Sequence, residues 1–102
     1  MAEYVRVMGV AELPPPGEAR EAACGERLIC IANAGGTLSA MDNVCPHRGG
    51  PLGQGIVEEG KLICPWHAWA FDVKTGVAVY TPQAKVDVYE IKVAGEDVFV
   101  KL

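Results

Sequence analysis

Short runs rich in Val, Ile, Tyr and Phe, broken by Gly, Pro, Asn or Asp, mark this 102-residue chain over most of its length. Such spacing predicts strands, because β-branched and aromatic side chains suit a pleated surface and the breakers suit turns. YVRVMGV (4–10) predicts a first strand. LPPPGE (13–18) follows, and its successive prolines exclude both a helix and a central strand. RLICIAN (27–33) and TLSAMD (37–42) predict a hairpin turning at Ala34-Gly35-Gly36. VDVYEIKV (86–93) alternates, with Val86, Val88, Ile91 and Val93 as apolar anchors, and turns through 94–97 into VFVKL. Its phase slips by one between Val88 and Ile91, which suggests a bulge or bend near Tyr89. Only EAREAAC (18–24) suggests a helical turn. The expected fold class is all-β, in one domain over 1–102, since this length supplies one modest core.

The centre reads differently. From Asn43 to Gly60 the chain carries glycines at 49, 50, 53, 55 and 60, prolines at 46 and 51, and few apolar anchors. A loop of that length inside a compact domain is usually functional or disordered. KLICP (61–65) and AWAFDV (68–73) then predict a second hairpin.

Composition narrows the classes. Apolar residues make up 50% of the chain, enough for a packed core. A net charge of −4, with Lys and Arg scattered singly, argues against nucleic acid and anionic lipid as partners. No apolar run approaches the roughly 18 residues needed to span a bilayer, and the N-terminal stretch lacks a signal-peptide core. The chain is therefore expected to be soluble and cytoplasmic. In that setting four cysteines point to metal binding more than to disulfides. Cys30, inside an apolar run, reads as a buried free thiol, and Cys24 receives no role.

Chemistry concentrates in two stretches, CPHRGGPLG (45–53) and CPWHAWAFD (64–72). The ligand pattern is Cys45-x-His47, then sixteen residues, then Cys64-x₂-His67. Each loop offers one thiol and one imidazole beside Pro and Gly. A Cys₂His₂ zinc site fits the donor softness, but zinc fingers pair Cys with Cys and His with His. Mixed pairs suit a two-metal site in which each loop serves both metal atoms. Zinc, an iron–sulfur cluster and coincidence remain the alternatives at this level.

C-P-H-R-G-G-P-L followed by C-P-W-H-A-W-A-F-D resembles the signature of the Rieske [2Fe–2S] proteins, and the likeness extends through the D-V-K-T-G turn at 72–76. The resemblance implies a Rieske-type antiparallel β-sandwich base (1–42 and 73–102) with an inserted two-loop cluster-binding subdomain (43–72). It implies one [2Fe–2S] cluster, with Cys45 and Cys64 on one iron and His47 and His67 on the other. Such a cluster is neutral when oxidised and carries one negative charge when reduced, and the imidazole-bound iron is the one that takes the electron. Pro46, Pro51 and Pro65 would stiffen the loops, while Gly49, Gly50 and Gly53 would let backbone N–H groups approach sulfur. Trp66 and Trp69 would exclude water, and Thr81-Pro82 would lie on a third loop against the cluster.

Departures from related proteins narrow the type. Quinol-oxidising Rieske proteins join the two loops by a disulfide, whereas the corresponding positions here are Gly50 and Trp66. They also place Ser and Tyr hydroxyls near the cluster, where this chain has Trp69 and Phe71. Fewer hydrogen bonds to sulfur imply a potential at the low end of the Rieske range, about −150 mV. The resemblance thus points to a low-potential Rieske-type ferredoxin, not itself an enzyme. It would carry single electrons from a flavin-dependent reductase to a terminal oxygenase and would be monomeric when free. An accessory subunit resembling the small subunit of assimilatory nitrite reductase is the alternative, and a zinc-binding module a third. With only two histidines, both used as ligands, no acid–base pair is left for catalysis.

Overall fold

The computed structural model describes residues 4–24, 27–45, 49–66, 69–79 and 84–101. Nine strands occur in this span: β1 (Tyr4–Gly9), β2 (Ala19–Cys24), β3 (Arg27–Ala34), β4 (Thr37–Asp42), β5 (Ile56–Glu58), β6 (Lys61–Ile63), β7 (Ala70–Asp72), β8 (Val88–Ala94) and β9 (Asp97–Lys101). They form a six-stranded sheet in the order β1-β9-β8-β4-β3-β2 and a three-stranded sheet in the order β5-β6-β7, with every ladder antiparallel. The larger sheet folds over so that β1 returns against β2, which makes it a sandwich. No helix of the described residues is long and apolar enough to cross a membrane.

The β3–β4 hairpin is the spine. Gly35 and Gly36 take φ of 62° and 99°, the left-handed backbone that a two-residue turn needs to match strand twist. Ala34 then pairs with Thr37, and Cys30 with Met41. Side chains alternate faces along a strand, so the apolar run of β3 must be covered twice. Ile29, Ile31 and Ala40 enter a core with Met8, Ala22, Cys24, Val98 and Val100, inside the sandwich. Cys30, Ala32 and Met41 face the other way, into a core with Leu52, Val57, Leu62, Phe71, Cys45 and Cys64. This second core welds the small sheet to the large one.

Three expectations are corrected. Residues 18–24 hold no helical turn, because β2 pairs with β3 from Ala19↔Ala32 to Cys24↔Arg27 and buries Ala22 and Cys24. Packing of alternate positions overrides the helical preference of Ala and Glu. The stretch 43–60 is also not one loop: a 3₁₀ turn at Leu52–Gln54 and β5 lie within it, with Leu52 and Val57 buried. Third, Tyr89 marks a hand-over between partners. Val88 and Tyr89 pair with β4, whereas Glu90 onwards pairs with β9. Val86 is buried as expected, but Val88 and Val93 are exposed.

Cys30 is 0% exposed, and burial pushes its thiol up to about 12, with the nearby Glu21 carboxylate adding to the shift. Its neutral form is favoured by folding, so this stabilisation is complete below the unfolded-chain value near 9 and is lost as pH rises towards 12. Urea unfolding between pH 8 and 11 is therefore expected to show stability falling with pH. Cys30→Ala should remove up to about 1.4 kcal/mol per pH unit of that slope. Equal slopes in the two proteins would contradict this assignment.

Candidate metal centre

Both cysteines of the two boxes sit where a ladder ends and a loop begins. Beyond β4, the Leu52 N–H donates to the Asn43 carbonyl at 2.7 Å and Val44 bridges Pro51. The Cys45 N–H donates to the Gly50 carbonyl at 2.9 Å, and the Gly49 N–H donates to the Cys45 carbonyl at 2.7 Å. Beyond β6, the Cys64 N–H donates to the Trp69 carbonyl at 2.7 Å, one step past the Ile63↔Ala70 pair. The two loops thus share one design, in which each cysteine N–H binds the carbonyl that closes its loop. Asp72 secures the turn after β7 by accepting the Lys74 N–H at 2.8 Å.

The loops meet at their cysteines. Cys45 and Cys64 are each 1% exposed, and neither is in a disulfide. Burial, opposed by the Trp66 N–H and reinforced by the neighbouring Cys45 thiol, raises the Cys64 thiol above its ordinary value. That N–H lies 3.4 Å from Cys64 Sγ. A β-carbon placed on Gly50 would be 3.0 Å from both Cys64 Sγ and Trp66 Cγ, so the first loop touches the second across a glycine. Gly50 and Trp66, the positions compared above with an inter-loop disulfide, lie close together, with no disulfide at either.

The aromatic residues divide their roles. Trp69 is partly buried against the core that contains both cysteines, its ring centroid 6.4 Å from that of the fully buried Phe71. Trp66 lies against Gly50 and remains 48% exposed. His47, His67, Arg48, Pro46, Thr81 and Pro82 lie outside the described residues.

This donor set fits a cationic iron–sulfur group. Burial of Cys64 beside Cys45 opposes its ionisation unless a cation supplies compensating charge as the proton leaves. The Trp66 N–H is placed to stabilise thiolate sulfur. Sequence reasoning missed the polar residues beneath the first loop. Asn43, 3% exposed, joins Glu21 and Gln54 there. No motif marks them, because their partners are distant in sequence.

Comparison with known proteins agrees with this chemistry. A family model described as the Rieske [2Fe–2S] domain matches residues 3–98. The ferredoxin component of an alkene monooxygenase system from Xanthobacter autotrophicus is 32% identical over 96% of this chain and 80% of its own length. Among solved structures, the ferredoxin of carbazole 1,9a-dioxygenase from Nocardioides aromaticivorans superposes with a TM-score of 0.83 at 27% identity, covering 95% of each chain. A putative NADH-dependent nitrite reductase small subunit from Mycobacterium tuberculosis shares the fold, with a TM-score of 0.88 at 20% identity over all of this chain and 96% of that one. Several curated relatives are far longer: the chain spans 14% of human apoptosis-inducing factor 3, at 30% identity over 83% of this chain.

Gly50→Ala is expected to press on Cys64 Sγ and the Trp66 ring and to loosen metal retention. Iron per chain after purification should fall severalfold, while far-UV circular dichroism stays that of the parent. Full iron content in this variant would contradict the close approach.

Proposed function

The chain belongs to the Rieske [2Fe–2S] domain family, and from that premise we propose that it is a one-electron carrier, passing electrons from a flavin-dependent reductase to a terminal oxygenase. Membership in this family implies one [2Fe–2S] cluster. The observation that carries the reading is the pair of buried, unbridged thiols at the meeting point of two loops of like construction. Its near full-length likeness to an oxygenase-system ferredoxin supports the carrier role.

In this reading the cluster supplies a site that takes up and returns one electron without bonding to a substrate. Cys45 and Cys64 hold one iron by thiolate sulfur, and His47 and His67 hold the other by imidazole nitrogen. Phe71 brings no hydroxyl to the site, and the Trp66 N–H donates to Cys64 Sγ. A site without that hydroxyl leaves the reduced state less stabilised, in keeping with a low potential. The segment 43–72 serves as the cluster-binding subdomain and 1–42 with 73–102 as its base. His47 and His67 serve as the point of electron exit. A monomeric state and a cytoplasmic location complete the proposal.

The test is electron transfer itself. Under anaerobic conditions, NADH with a flavin-dependent reductase should reduce the protein by one electron per chain, and a Rieske oxygenase should reoxidise it. Isolation only as a stoichiometric complex with a large sirohaem protein would instead establish the accessory-subunit role. His67→Cys should keep a cluster and lower its midpoint potential, because a thiolate replaces a neutral ligand; an unchanged potential would remove His67 from the ligand set.

A further inference from the structure

Beneath the first loop lies a polar network that the metal ligands do not explain. The Asn43 side chain, 3% exposed, accepts the Gly53 N–H on Oδ1 at 2.7 Å and donates from Nδ2 to Glu21 Oε2 at 2.6 Å. The other Glu21 oxygen accepts from Gln54 Nε2 at 3.1 Å. The turn at Leu52–Gln54 sits flush on β2: a β-carbon on Gly53 would overlap Glu21 Cγ and come within 2.7 Å of the Glu21 nitrogen. Glu21 in turn is locked in register opposite Cys30 on β3.

We propose that Asn43 and Glu21 form a positioning clamp that fixes the Cys45 loop to β2 of the base sheet. A buried amide that lost its partners would be left unsatisfied at a cost, so the network favours a single position of the loop. From Asn43 the ladder runs through Val44↔Pro51 to the Cys45–Gly50 hydrogen bond, so fixing Asn43 fixes the backbone at Cys45. The clamp matters because the small sheet reaches the second loop through β6 and β7, whereas the first loop has its own anchor to the base. Without a disulfide between the loops, the distance between Cys45 and Cys64 depends on each anchor separately. The consequence for the cluster rests on the ligand assignment proposed above.

Exchanging donor and acceptor tests the clamp. Asn43→Asp sets two carboxylates face to face, and its cluster should pass to an iron chelator about 10–100 times faster than the parent's. Glu21→Gln alone should lie close to the parent, because its amide oxygen still accepts from Asn43 once Gln54 turns over. The double variant Asn43→Asp/Glu21→Gln rebuilds the pair with the direction of donation reversed, and should return to within about threefold of the parent. A second readout needs no iron: hydrogen exchange of the Gly53 amide in the metal-free protein should quicken in Asn43→Asp and slow again in the double variant. Asn43→Asp indistinguishable from the parent in both readouts, or no recovery in the double variant, would overturn the clamp. A parent that takes up no iron yet shows the exchange pattern would support the clamp and overturn the cluster assignment instead.

Discussion

Two thiols from different loops are held against each other, each 1% exposed. Without a compensating cation this is an awkward arrangement, since burial opposes the thiolate form of Cys64 that would bind metal. Its presence sets a demand on everything around it. The loops must deliver the sulfurs at a fixed separation, water must be kept from the inner side, and the scaffold must not yield when charge changes. The same low polarity that raises the Cys64 thiol in the absence of metal strengthens the attraction between thiolate and iron once metal is bound.

The scaffold meets this demand through one two-faced hairpin. The inner face of β3 and β4 fills the sandwich with Ile29, Ile31 and Ala40, and the outer face offers Cys30, Ala32 and Met41 to the small sheet. The metal-side core is therefore continuous with the centre of the larger sheet. The first loop is tied to β2 by side-chain hydrogen bonds, and the second extends the β6–β7 ladder. Between the loops, at the position compared above with an inter-loop disulfide, Gly50 lies close to Trp66 and Cys64 Sγ. Contact replaces a bond, and the two anchors carry the alignment.

Much of this was legible in the sequence, for reasons specific to each element. The β3–β4 hairpin is signalled by Gly35-Gly36, whose positive φ only a few residue types accept, and the C-terminal hairpin by alternation ending at Gly95. The cysteines of the site are legible because ligand chemistry allows few substitutes. β2 was obscured because Ala and Glu favour helices when read locally, while its strand pairing with β3 is a tertiary fact. β5 was obscured by its turn, where Glu59 takes a φ of 51° before Gly60, a place where Asn or Gly would have been the visible signal. The Asn43–Glu21 pair left no local trace, since it joins residues 22 positions apart.

Pulsed EPR of the dithionite-reduced protein tests the central claim most directly, because it reports which atoms coordinate the reduced iron. The account predicts hyperfine coupling to two imidazole nitrogens in the parent, one being lost in His47→Cys and the other in His67→Cys. A reduced cluster with no nitrogen coupling, or a colourless zinc protein with no signal at all, would contradict a cluster held by Cys45, His47, Cys64 and His67.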